Sequence, residues 1–173
     1  LSRPPIYGFL SRIPSLEVGV SRFDANISVG YMTRFQLGLL AMLAEDVQHL
    51  RQLREALALD WASLPWDTPR MRIPEPVAKG SGAWLRFPVI MQPNIREKLF
   101  ESGAGLLGLS ASYPFAVPEI PGVEPHLLLK APCPVAERIA CGIVTLPTHP
   151  GVTPAIRKAI VKALRKVGAL QEG

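Results

Sequence analysis

The 173-residue sequence has two cysteines, Cys133 and Cys141, too few for a disulfide scaffold. Eight positions apart on a helix, they would stand about 12 Å apart, beyond bridging reach, so they read as reduced thiols. Three histidines are scattered, and no C-x-x-C or H-E-x-x-H spacing occurs, which leaves no metal site to expect. No window approaches about 18 uninterrupted apolar residues, so no membrane span is expected. Repeats and low-complexity tracts are missing too. The chain opens at Leu1 without an initiator methionine or a signal-peptide pattern, and the expectation is a processed product or fragment in the cytoplasm.

Acids are outnumbered, 14 Asp and Glu against 19 Lys and Arg, giving a formal net charge of +5. Five of these bases, Arg157, Lys158, Lys162, Arg165 and Lys166, share a segment that contains no acid. On a helix they lie away from Ile156, Ile160, Val161, Leu164 and Val167. No aromatic residue interleaves with them, which weighs against nucleic acid, since single strands need rings to stack on. A solvated face whose late charges suit the helix C-terminal dipole explains them.

What is abundant is apolar: 48% of the residues, with a mean hydropathy of +0.21. That excess over a free soluble domain points to a buried interface. The pattern divides the chain into an irregular segment at 1–31, a long connecting helix at 32–60, a linker at 61–82 and a small α+β unit at 83–173. Thr33 with Gln36 forms a capping box, and Met32 with Leu37 a hydrophobic staple. The stripe of that helix is Phe35, Leu39, Leu40, Leu43, Val47, Leu50, Leu53 and Leu57, spaced in threes and fours, and a partner surface must cover it. Residues 65–82 hold four prolines and two glycines and read as a linker or long loop.

Residues 84–91 alternate Leu85, Phe87, Val89 and Met91, a half-buried strand that Pro88 pushes towards a sheet edge or a bulge. Asn94 is expected to cap a short helix that runs to Ser102 and stops at Gly103. Residues 105–110 read as another strand. Residues 111–132 carry five prolines and form an irregular connection, the kind of loop that is often functional. Thr153 caps a last helix with Pro154 in its first position, ending near Val167 before Gly168. Short strands covered by helices make an α+β fold.

One stretch packs a helix, its stop, a strand and a turn into CPVAERIACGIVTLPTHPG, residues 133–151. Pro134 starts the helix, Gly142 is expected to take the left-handed position after it, residues 143–146 form a strand, and Pro147 and Pro150 fix the turn around His149. This stretch resembles the C-terminal domain of the DegT/DnrJ/StrS-type sugar aminotransferases. There a P-x-A-E-R helix (here Pro134, Ala136, Glu137 and Arg138) precedes L-P-x-H-P-G (Leu146, Pro147, His149, Pro150 and Gly151) and a final helix. Met32, Thr33 and Gln36 resemble that family's R-M-S-x-x-Q helix opening, and Tyr113 with Pro114 its Y-P loop.

The resemblance implies the small-domain fold of fold-type-I pyridoxal-phosphate transferases, a short-stranded sheet covered by helices and entered through a long helix. It implies a C-terminal part of an enzyme that moves an amino group from an amino acid to a keto-sugar nucleotide. The pyridoxal phosphate of that family is held mainly by an N-terminal large domain, so the implied partner is such a domain or a homologous subunit in a homo- or hetero-oligomer. No catalytic, cofactor-binding or metal-binding residue is assigned within this chain. Where the family commonly places a phosphate-binding asparagine before the long helix, this chain has Val29. Its six lysines read as solvated amines rather than Schiff-base donors. By resemblance Ser110, Ser112 and Tyr113 line the substrate side; His149, between prolines, reads as structural. The competing expectation is a non-catalytic interaction module that keeps the same fold.

Overall fold

A computed structural model describes residues 23–26, 29–75, 82–128 and 131–171. Lys79 and Lys130, like the arginines and prolines of residues 1–22, lie outside them. The long helix α1 runs Arg34–Ala62. Its start is set locally: the Gln36 backbone N–H donates to Thr33 Oγ1 at 3.2 Å, and the Thr33 N–H donates to Gln36 Oε1 at 2.8 Å. Met32 and Leu37, the expected staple, both remain exposed.

Three antiparallel strands follow in the order β1-β2-β3: β1 Met71–Arg72, β2 Arg86–Met91 and β3 Ile143–Pro147. β1 lies within the stretch read as linker, pairing Met71 with Met91 and Arg72 with Ile90. Trp61 and Trp66, at the start of that stretch, are core residues. The Trp61 indole N–H donates to the Pro147 carbonyl at 2.9 Å, and that of Trp66 donates to the Trp61 carbonyl at 2.9 Å. Proline-rich spelling hid this role, because it marks breaks in local structure and says nothing of what the neighbouring rings cover.

β2 alternates as expected, with Phe87, Val89 and Met91 buried. Despite Pro88 it is the central strand rather than an edge. Pro88 pairs with Thr145, whose own N–H and C=O are taken up by Ser110 on the far side of β3, at 2.8 and 3.1 Å. The pair is therefore a non-hydrogen-bonded one, and the proline's missing donor faces outward, beyond the reach of the two-residue β1.

Helix α2, Pro93–Glu101, is preceded by Gln92 in the cap position with Pro93 first in the helix, so Asn94 is inside the first turn and is not the cap. Gly103 stops it with φ 84°. Residues 105–110 are not a strand: Ala104–Leu107 is a 3-10 turn, and Ser110 alone of them pairs with a strand backbone, through one bridge to Thr145. The short apolar run was too brief for periodicity to separate the two. The proline-rich loop contains two more 3-10 turns, Val117–Glu119 and Glu124–His126, pinned by the buried Ala116 and Val123.

Helix α3, Pro134–Gly142, is capped by Glu137, which accepts from the Cys133 N–H at 3.0 Å. Gly142 is its last residue, and it is not a left-handed stop. Its need for glycine is contact: an added Cβ would lie 2.5 Å from the Met91 carbonyl oxygen of the adjacent strand. Helix α4, Pro154–Lys166, begins where Thr153 accepts from the Ile156 N–H at 3.3 Å and ends before Gly168, φ 70°. Phe87, Val89, Val144 and Leu146 of the sheet, Leu99 of α2 and Ile160 and Leu164 of α4 close one core around Trp61. Most of α1 stands outside it.

Candidate functional site

Polar chemistry gathers at the end of the sheet where β2 begins and β3 ends. Thr145 and Thr148 are the only buried polar or charged residues among those described. Thr145 Oγ1 accepts from Arg86 Nε at 2.6 Å, meets Ser112 Oγ at 2.9 Å and lies 3.2 Å from the Ser110 carbonyl. Ser112 Oγ also reaches Ser110 Oγ at 3.3 Å. Arg86 Nη2 donates to the Thr145 carbonyl at 2.8 Å and to the Gly108 carbonyl. The half-buried guanidinium thus ties the turn after the 3-10 helix to β3.

Ser110 and Ser112, two of the three residues expected to line a substrate, are together, and each is engaged with Thr145. Tyr113 is apart from them in character. It is exposed and holds φ 58°, a left-handed conformation uncommon for a bulky side chain. Its ring faces solvent beside Pro114 in the Y-P loop.

His149 sits half-buried in the turn after β3, and its Nδ1 accepts from the Gly151 N–H at 3.1 Å. That bond leaves Nε2 to carry the proton of the neutral ring. Burial, then the charges of Arg54 and Arg86, lower its pKa below the ordinary 6.5. Thr148 Oγ1 bonds the Trp84 carbonyl and, at 2.9 Å, the Leu85 carbonyl, which also accepts from Arg54 Nη1 at 2.9 Å. Trp84 itself has φ 47°.

The arrangement therefore offers two guanidinium groups, hydroxyls and a neutral imidazole, a set suited to holding an anionic or hydroxyl-rich group. It does not assemble a nucleophile with a base, because both serines bond to Thr145 and to each other while His149 bonds Gly151. Arg54, Arg86 and Thr145 belong to no motif in the sequence. The one signal there was an arginine at the head of an otherwise apolar strand.

Sequence comparison finds no matching family model and no matching curated protein. Comparison of structures does find matches. DesV of S. venezuelae, solved with a ketimine intermediate, superposes with a TM-score of 0.67 at 18% identity, over 87% of this chain and 41% of that one. A DegT DnrJ EryC1 StrS aminotransferase from Brucella abortus gives 0.62 at 18% identity, over 86% of this chain and 39% of its own. PseC of Helicobacter pylori, an aminotransferase involved in the biosynthesis of pseudoaminic acid, gives 0.64 at 19% identity, over 86% and 43%. The chain spans about two fifths of the length of these structures, and what it shares with the DegT DnrJ EryC1 StrS aminotransferases is the fold of that part.

Proposed function

We propose that this chain is the C-terminal part of a pyridoxal-phosphate-dependent aminotransferase-like protein that acts on a keto-sugar nucleotide, and that it forms one wall of the active site. The fold it shares with DesV, the Brucella abortus aminotransferase and PseC over more than four fifths of its length supports this reading. The hydroxyls of Ser110 and Ser112, backed by Thr145 and Arg86, face the substrate side, with Tyr113 at the loop tip. Chemistry requires the rest of the site from a large domain or homologous subunit.

The described residues do not by themselves fit the cofactor. A Schiff-base lysine needs burial or nearby cations, and the pyridine nitrogen needs a carboxylate partner. Among the described residues Lys98, Lys158, Lys162 and Lys166 are all exposed and no acid is buried, and Val29 is 93% exposed with no group to bond a phosphate. The chain alone is therefore expected not to catalyse transamination. Incubation with pyridoxal phosphate, borohydride reduction and intact-mass measurement tests this. Scattered, substoichiometric labelling of surface lysines is expected; one stoichiometric adduct with an internal-aldimine absorbance band would overturn it. The exposed stripe of α1 also suits a non-catalytic interaction module of the same fold. A stable, monodisperse chain that gains no activity from any large-domain partner would favour that reading.

A further inference from the structure

The apolar stripe of α1 does not end in solvent. Leu50, Leu53 and Leu57 lead into a groove of about 410 Å³ between α1 and α4, floored by Val152, Pro154 and Val161. From Leu39 to Leu57 the stripe extends about 27 Å, the length of a helix of about 18 residues. Two rows of side chains three and four apart on one helix are matched by another helix laid along them.

Charge selects among the helices that could lie there. At the groove end Asp60, the one acid in its lining, is spent on Arg157, 3.1 Å away, whose guanidinium also covers the Trp61 ring. Lys158 in the lining and the exposed Lys162 and Arg165 one and two turns on make no ion pair among the described residues. A second copy laid antiparallel would bring the opening of its own α1, which has Arg34 and no acid in its first turn, to those bases. Each copy also carries a net charge of +5. Self-pairing is therefore opposed by like charge.

We infer that this stripe and groove dock an amphipathic helix of another protein or domain, apolar along one face and acidic at the end that meets Lys158 and Lys162. This deepens the reading above by giving the partner's chemistry, and it rests on that reading only for the existence of a partner. Its test is independent of catalysis. A fluorescent helical peptide of about 18 residues, with leucines at threes and fours and glutamates in its first two turns, which an antiparallel helix brings to Lys158 and Lys162, is titrated against the chain by anisotropy. A twin peptide carries lysines in place of the glutamates.

The acidic peptide is expected to bind at least about tenfold more tightly than its twin, and more weakly as salt rises. Lys158→Glu with Lys162→Glu should reverse that preference while leaving the melting temperature unchanged, since both side chains are exposed. Equal affinity for both peptides, no binding of either, or a dimer of the chain that Leu43→Glu dissociates would each overturn the inference. The borohydride experiment is unaffected by any of these results, so failure of the docking surface and failure of the aminotransferase reading are told apart.

Discussion

Within α1, Leu39, Leu43, Val47 and Leu50 recur every three or four residues and stay 37–56% exposed, whereas Ala58 and Trp61, further along the same face, are 1% and 0% exposed. The spacing is the same and the propensities are similar. What differs is cover: β3 and α4 fold back over the last turns of the helix, and nothing among the described residues reaches the first five. Periodicity thus specifies a face, and burial is decided by whatever the rest of the chain, or another chain, brings to it. Covering each of those leucines would add about 1.5–3 kcal/mol, so the stripe is a large reserve of binding energy.

The sharpest way to break this comparison is to truncate one side chain from each end of the helix. Trp61→Ala removes a fully buried ring and orphans the Pro147 carbonyl, and it should cost about 3–5 kcal/mol. Val47→Ala should change stability by no more than about 0.5 kcal/mol. Urea unfolding of the two variants measures both. Equal losses would mean that the first turns of α1 are covered within the chain after all.

The next largest effect belongs to Gly142→Ala. The added methyl would press on the Met91 carbonyl, which is held in β2, so helix α3 must move off the sheet at a cost of about 1–3 kcal/mol. A left-handed stop would respond otherwise, because alanine there strains only its own backbone. Crystallography or amide exchange at Met91 separates the two: contact predicts a disturbed β2, and a backbone effect leaves β2 unchanged.

Thr145→Val should cost somewhat less, about 1–2 kcal/mol, because it keeps the shape and removes the acceptor of Arg86 Nε and the partner of Ser112. Thermal or urea unfolding measures the loss, and the Ser110–Thr145 bridge should exchange its amides faster. If the two serines were held by the loop alone, that exchange would not change.

These positions also separate what local sequence specifies from what it does not. The starts of α1 and α4 were legible because Thr33 with Gln36 and Thr153 with Pro154 act across three residues of local chain. The alternation of Phe87, Val89 and Met91 was legible for the same reason. Gly142 does end α3, but local sequence shows only that a glycine stands there, since its constraint comes from a strand about fifty residues earlier in the chain. Trp61 and Trp66 disappeared into a proline-rich reading because their partners, Pro147 and Leu170, are remote in sequence. At the candidate site Ser110 and Ser112 came from resemblance. Arg86 and Thr145, which hold them, could be found only after β2 and β3 were in register.

The smallest expected effect concerns His149, and it compares the two flanks of the sheet end rather than the two ends of α1. Burial and the charges of Arg54 and Arg86 keep this imidazole neutral in the folded chain at pH values where the unfolded chain already protonates it. The unfolded state then binds more protons, so stability rises with pH in that window. The contribution is complete above the ordinary value of 6.5, falls as pH drops below it, and levels off beneath the lowered folded-state pKa. His149→Asn keeps an acceptor for the Gly151 N–H and removes the titration. The urea midpoints of the parent chain and this variant should therefore differ between pH 7.5 and pH 5.5, with the parent losing more on acidification. All other groups are common to both proteins and cancel in the difference. A variant that loses as much as the parent would mean that the ring is as free to charge in the fold as in the open chain, and that Arg54 and Arg86 direct their charge elsewhere.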